Sequence, residues 1–260
     1  MPTEEEVEEQ PQLTRYFAEI AYKGTRFNGL QRQPNGPSVQ QTIEDSLSVL
    51  LRQPTEIVGC GRTDAGVHAS QYFLHFDYPG QLPDRLLEKL NHMVGTDIFI
   101  KRFIPVHPTA HARFNAVSRS YQYHINLTKN PFNTETALFL QFKKELDINK
   151  LNEAAALFAQ ADFFKGFCKT GGAPTNFKCQ VTASFWELDT QQNQLIYNVT
   201  ANRFLRGMVR LLVGSCLNFA LDKTAIEDLE NALKTGVPPP KTLSVFPQGL
   251  FLTDIKYPFI

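Results

Sequence analysis

The 260-residue sequence predicts an α+β protein made of two ferredoxin-like-derived halves, with mainly antiparallel sheets flanked by helices. Two observations carry this. Over the first hundred residues the hydrophobic period switches between 2 and 3.6 in the order strand, helix, two strands, helix, strand, which is the ferredoxin-like order. After an irregular stretch at 107–117 the pattern starts afresh with a strand through Tyr121. With 42% hydrophobic residues, including 21 Phe, such a chain has ample material for a core, and filling it is the reading given to the phenylalanines.

The elements follow in turn. From Arg15 to Tyr22 the residues alternate, with Tyr16, Ala18, Ile20 and Tyr22 on one face, until Gly24 and the cluster Pro34-Asn35-Gly36-Pro37 interrupt. Ser38, with Gln41 three residues later, reads as a capping box that opens a helix striped by Val39, Ile43, Leu47, Leu50 and Leu51. Glu56 to Cys60 is a short strand entering a glycine-rich loop, and Gln71 to Tyr78 alternates again. A helix over Pro83 to Met93 and a strand over Asp97 to Val106 complete the first half. The second half is expected to run from a strand through Tyr121, Tyr123, Ile125 and Leu127 to a helix over Asn149 to Ala161. Strands at Thr182 to Leu188 and Gln194 to Ala201, helices beginning at Phe204 and Thr224, and a last strand at Leu250 to Ile255 follow. The expected division is an acidic, disordered arm over 1–13, an N-terminal domain over 14–108 and a C-terminal domain over 109–260.

The arm matters to the charge. Lys and Arg together number 26, equal to Asp and Glu, but Glu4, Glu5, Glu6, Glu8 and Glu9 fall within the first ten residues. Residues 11–260 therefore hold 26 bases against 21 acids, a net charge of +5. No acid occurs from Ile98 to Thr134, which contains Lys101, Arg102, Arg113, Arg119 and Lys129, nor from Thr190 to Leu221, which contains Arg203, Arg206 and Arg210. Basic stretches interleaved with aromatics suit a polyanion whose bases stack on rings. Acid-free runs of this kind also arise by chance in a chain with so few acids.

Other classes are less compatible. The N-terminus lacks the basic region and apolar stretch of a secretory signal and is too acidic for a transit peptide. The best apolar run, Met208 to Leu221, is interrupted by Arg210, Ser215 and Asn218 and is too short to span a bilayer, so a cytoplasmic chain is expected. Cys60, Cys168, Cys179 and Cys216 stand at irregular spacings and are expected as reduced thiols, neither a zinc site nor a disulfide framework.

The stretch from Gly59 to Ala69 is the most informative. Gly61 and Gly66 have phosphate-loop spacing, yet Val67-His68 stands where Lys-Ser/Thr is required, which argues against nucleoside triphosphates. What remains is a carboxylate, Asp64, beside Arg62 in a tight loop. A carboxylate next to a guanidinium stays ionised and suits a nucleophile or an electrostatic stabiliser. Spacing alone is equally compatible with Asp64 capping the turn and Arg62 as its surface partner. His68 and His75 lie seven residues apart with no third ligand in the pattern, so no metal is expected.

Gly61-Arg62-Thr63-Asp64-Ala65-Gly66-Val67-His68-Ala69 closely resembles the signature of the tRNA pseudouridine synthase A family. Further matches follow in order: Phe27-Asn28-Gly29-Leu30-Gln31-Arg32-Gln33 with Ser38-Val39-Gln40, His111-Ala112-Arg113-Phe114-Asn115-Ala116, and Arg119-Ser120-Tyr121-Gln122-Tyr123. Asn202, Phe204, Leu205, Met208, Val209, Arg210, Val213 and Gly214 match the late helix motif, and Gly249-Leu250-Phe251-Leu252 the final strand.

The resemblance implies a tRNA-uridine isomerase acting in the anticodon arm at nucleotides 38, 39 and 40. It implies no cofactor and no metal, a homodimer, and an active cleft between the two halves. Asp64 is then the nucleophile, Tyr121 packs against the target base and assists proton removal, Arg210 pairs with Asp64, and Arg62 contacts RNA or displaces the base. Three departures bear on RNA contacts and not on the reacting groups: Leu30 in place of Trp, Pro247-Gln248 before Gly249, and Cys179-Gln180-Val181-Thr182 without the usual Arg-Thr pair. The alternatives are an RNA-binding paralogue without catalysis and a retaining glycoside hydrolase. The latter needs a second carboxylate, and no other acid sits in a comparable loop.

Overall fold

Strand-forming runs with one apolar face need a shared sheet, and in the computed structural model they assemble into a single nine-stranded one. The structure describes residues 13–141, 145–169, 171 and 175–260. The strands are β1 (Leu13–Tyr22), β2 (Val58–Gly59), β3 (His68–Pro79), β4 (Ile98–Val106), β5 (Ser118–Asn126), β6 (Leu138–Phe139), β7 (Val181–Asp189), β8 (Gln194–Ala201) and β9 (Leu250–Lys256). The helices are α1 (Val39–Leu51), α2 (Leu86–Met93), α3 (Ile148–Gln160), α4 (Met208–Ala220) and α5 (Ile226–Thr235).

The sheet runs β4-β1-β3-β9-β5-β8-β7, with β2 beside β3 and β6 beside β5. Pairing is antiparallel except where β9 meets β3 and β6 meets β5. The contact between β3 and β9 is short, His68 with Phe251 and Ala69 with Leu252, and it occurs just past the glycine-rich loop. That loop therefore sits where the last strand of the chain joins its two parts. The apolar packing agrees: Cys60 and Ala69 belong to one buried cluster and Val67 to the other, while Tyr121 packs against both.

The element boundaries are set by local chemistry. Ser38 Oγ accepts from the Gln41 N–H at 3.1 Å and starts α1 as the sequence indicates. The helix expected over Pro83 to Met93 begins only at Leu86, because Arg85 is in the left-handed region at φ 61°. The helix expected from Phe204 begins at Met208, after Gly207 at φ 68° turns the chain into it. The strand expected over Glu56 to Cys60 is only two residues long, and the strand expected from Gln71 begins at His68. The acidic stretch Glu4 to Glu9 lies outside the described residues, whereas Leu13, the last residue assigned to the arm, pairs with Pro79 in the sheet.

All four cysteines are unpaired, and burial pushes the Cys60 and Cys179 thiols up to about 11 and that of Cys216 to about 12. Among the described residues no helix is long and apolar enough to cross a membrane.

His75 on β3 is buried, stacks on Phe17 at 5.9 Å and accepts from the Ala112 N–H through Nδ1 at 3.2 Å. Burial, then the charge of nearby Arg15, lowers its pKa from 6.5 to about 4. Below pH 6.5 the unfolded chain takes up a proton that the folded chain refuses until about pH 4, so stability falls as the pH drops through that window. Thermal melts between pH 7.5 and 4.5 are expected to show a falling Tm, and His75→Gln is expected to flatten the slope.

Candidate active site

The loop from Gly61 to Val67 is held from below by bonds to its backbone and to the Thr63 hydroxyl. Tyr72 on β3 is fully buried, and its hydroxyl donates to the Gly61 carbonyl at 2.6 Å and accepts from the Gly61 N–H at 3.2 Å. Tyr22 on β1 shares a hydrogen bond with Thr63 Oγ1 at 2.8 Å. The Leu30 N–H donates to the Thr63 carbonyl at 3.3 Å. A Cβ on Gly29, which lies at φ +94°, would stand 2.6 Å from that carbonyl, so only glycine allows the approach. The Val67 N–H closes a turn on the Asp64 carbonyl at 3.2 Å, with Gly66 at φ +77°. Tyr72→Phe removes both bonds to Gly61 in a buried site, for an expected loss of about 1–3 kcal/mol. A drop in Tm of several degrees in a thermal melt checks it.

Asp64 is partly exposed, and Arg210 from the first turn of α4 donates through Nη1 to its Oδ2 at 3.1 Å. Arg210 is held in turn: its Nε donates to the Val245 carbonyl at 2.6 Å, and the Val245 N–H returns a bond to the Arg210 carbonyl at 3.3 Å. Among the described residues no hydrogen bond reaches Asp64 Oδ1. The expectation that Asp64 is held beside Arg62 is corrected: the pair is with Arg210, 146 residues away in sequence, and Arg62 is exposed without an ion pair among the described residues. The side chains at 62 and 64 leave the turn in separate directions, one to solvent and one to α4.

Tyr121 lies on β5 between Val199 of β8 and Leu252 of β9. Its ring meets Phe204 edge-on at 5.0 Å. Burial above all, with the charges of Cys60 and Asp64 adding to it, pushes its hydroxyl well above the usual tyrosine value. It is therefore a neutral phenol near neutral pH, better suited to packing on a base than to acting as a phenolate.

Arg119, two residues before Tyr121 on β5, has no role in the motif reading yet joins three segments. Nη2 donates to the Cys60 carbonyl at 2.9 Å and the Arg113 carbonyl at 2.8 Å, and Nη1 to the Asn202 carbonyl at 3.1 Å. Its period-2 relation to Tyr121 is the signal that could have found it.

His68 is likewise occupied. The Gly24 N–H donates to Nδ1 at 3.0 Å, which makes Nε2 the donor to the Glu135 and Gln248 carbonyls at 2.9 and 3.1 Å. The ring stacks on Phe251 at 4.6 Å, and burial lowers its pKa. Both nitrogens serve the structure as a neutral imidazole.

The site lies between the two buried clusters, and in it one guanidinium orients the Asp64 carboxylate and a neutral phenol lies close by. A chain from Porphyromonas gingivalis named tRNA pseudouridine synthase A is 39% identical over 95% of this chain and 98% of that protein. Proteins of the same name from Azobacteroides pseudotrichonymphae and Parabacteroides distasonis are 40% and 39% identical over 95% of this chain, covering 98% and 97% of their own lengths. A family model described as tRNA pseudouridine synthase matches residues 154–258. The chain belongs to the tRNA pseudouridine synthase A family.

Proposed function

We propose that this protein converts uridine to pseudouridine in the anticodon arm of tRNA, at nucleotides 38, 39 and 40, with Asp64 as nucleophile. The observation that carries the reading is the Asp64 carboxylate: Arg210 holds one oxygen at 3.1 Å and the other accepts no hydrogen bond among the described residues. A carboxylate fixed in this way attacks without first reorienting.

In the reaction the N1–C1′ bond breaks, the base turns, and a C5–C1′ bond forms. N1 gains a proton and C5 loses one, so no water and no redox partner is consumed. The uridine must leave its stack at a cost of roughly a few kcal/mol, offset by packing on Tyr121 and by RNA contacts from Arg62. The chemistry calls for neither metal nor cofactor.

The reading extends to architecture. The strand orders β4-β1-β3-β2 and β9-β5-β8-β7, each wholly antiparallel, support two ferredoxin-like-derived halves meeting near residue 108. A cytoplasmic homodimer completes it, and light scattering on the purified protein checks the oligomeric state.

The test of function is mapping of pseudouridine in unmodified tRNA transcripts incubated with the protein, and in cellular tRNA with and without it. Modification at nucleotides 38–40 is the expected result. Tight tRNA binding with no turnover on any transcript would instead identify a binding paralogue.

A further inference from the structure

The segment that links the two halves folds back along the catalytic loop and holds an aromatic ring out to solvent. His111 organises the turn: its Nδ1 accepts from the N–H groups of Arg113 at 3.1 Å and Phe114 at 3.4 Å. Asn115 Oδ1 accepts from the His111 N–H at 2.6 Å, and the Asn115 N–H donates to the His111 carbonyl at 3.0 Å. The Phe114 ring is 73% exposed, yet it rests on the His111 ring at 4.3 Å, with the Arg113 guanidinium 5.6 Å from its centroid.

A single exposed phenylalanine is ordinary. One whose backbone is fixed by a histidine and whose ring already lies against that histidine at a 36° tilt has little conformational entropy left to lose on binding, which is the property of a preorganised contact. The turn is also coupled to the catalytic loop, because the Arg119 guanidinium bonds the carbonyls of both Arg113 and Cys60.

Between this platform and the loop lies a cavity of about 300 Å³, at the small end of ligand sites. Phe114, His111 and Arg113 line it together with Gly61 and Arg62 of the loop, and none of its lining residues is acidic. Asp64, Tyr121 and Arg210 do not line it. The cavity is therefore separate from the Asp64–Arg210 pair, and Arg62 of the same loop lines it.

We propose that Phe114, packed against His111 and flanked by Arg113 and Arg62, is a stacking platform for a nucleobase of the substrate RNA next to the reacting uridine, with the two guanidiniums taking the adjacent phosphate. Base stacking on an aromatic is tolerant of sequence, and an arginine pair beside it reads backbone and not base. The platform thus grips a neighbour of the target without dictating its identity. This inference rests on the RNA reading of the active site.

The experiment uses the full chain with anticodon stem-loop RNAs that are intact or abasic at the nucleotide 5′ or 3′ of the target. Phe114→Ala is expected to lower kcat/KM about 10- to 100-fold on intact RNA, and Phe114→Trp to retain most of it. On wild type one of the two abasic RNAs is expected to show a similar loss, and Phe114→Ala to lose nothing further on that RNA. Phe114→Ala within twofold of wild type, or losses that multiply on both abasic RNAs, would overturn the platform. The same coupling is read without turnover: 2-aminopurine at the stacked position is expected to be quenched on binding to Asp64→Asn and to remain bright with Asp64→Asn/Phe114→Ala. Quenching by both proteins overturns the platform, and failure of every RNA to turn over bears on the function alone.

Discussion

Asp64→Ala is expected to lose about 10⁴-fold or more in the rate of pseudouridine formation, since a nucleophile that forms a covalent intermediate has no substitute in the site. Binding should survive. Asp64 is partly exposed at the tip of a turn whose backbone is held by Tyr72 and Leu30 and whose Thr63 hydroxyl is held by Tyr22, none of which touches the carboxylate. Arg210 keeps its bond to the Val245 carbonyl when the carboxylate is gone, so the loop and α4 lose one ion pair and no scaffold. Removing a negative charge from a surface that meets polyanionic RNA can only favour association. Asp64→Asn is the sharper variant, because it preserves volume and an oxygen for Arg210 while abolishing the nucleophile. Quantitation of pseudouridine by mass spectrometry after nuclease digestion, beside a filter-binding isotherm, reads both effects. Full activity in either variant would remove Asp64 from the mechanism.

The pairing that gives Asp64 its orientation shows where sequence reasoning ends. Helix order was legible from period, because α1 and α3 each bury one stripe, whereas β1, β3 and β8 bury consecutive residues on both faces and were legible as short apolar runs between turn signals. The ends of elements were less so. Arg85 takes a left-handed conformation that no propensity assigns to arginine, and β6 is too short for a period to appear. Within the site, Asp64 stood out because three glycines surround it. Its partner could not be chosen by adjacency: Arg62 is two residues away and turns to solvent, while Arg210 reaches it because α4 packs at the same junction. Only the family resemblance pointed to Arg210. His68 was ambiguous for the same reason, since its partners Gly24, Glu135 and Gln248 are dispersed over more than two hundred residues of chain.

Arg210 provides the second large effect. Its guanidinium spans two acceptors, with Nε on the Val245 carbonyl and Nη1 on Asp64 Oδ2, and its side chain is only 13% exposed. Lysine keeps the charge but offers one compact ammonium, which cannot occupy both places. Arg210→Lys is therefore expected to lower kcat about 100-fold, and Arg210→Met, which also strips the counter-charge, about 1,000-fold, with KM changed by no more than a few-fold. The reason is positional: a carboxylate displaced by an ångström from its line of attack loses roughly two orders of magnitude even when its chemistry is intact. Steady-state kinetics on an unmodified transcript separate this from the competing role. A rise in KM with kcat unchanged would make Arg210 a tRNA contact and leave Asp64 to be oriented by the loop alone. The double variant Asp64→Ala/Arg210→Met closes the argument, because a group that acts only by aiming the carboxylate costs nothing more once the carboxylate is absent. Any further loss in that background would mean that Arg210 also touches the substrate.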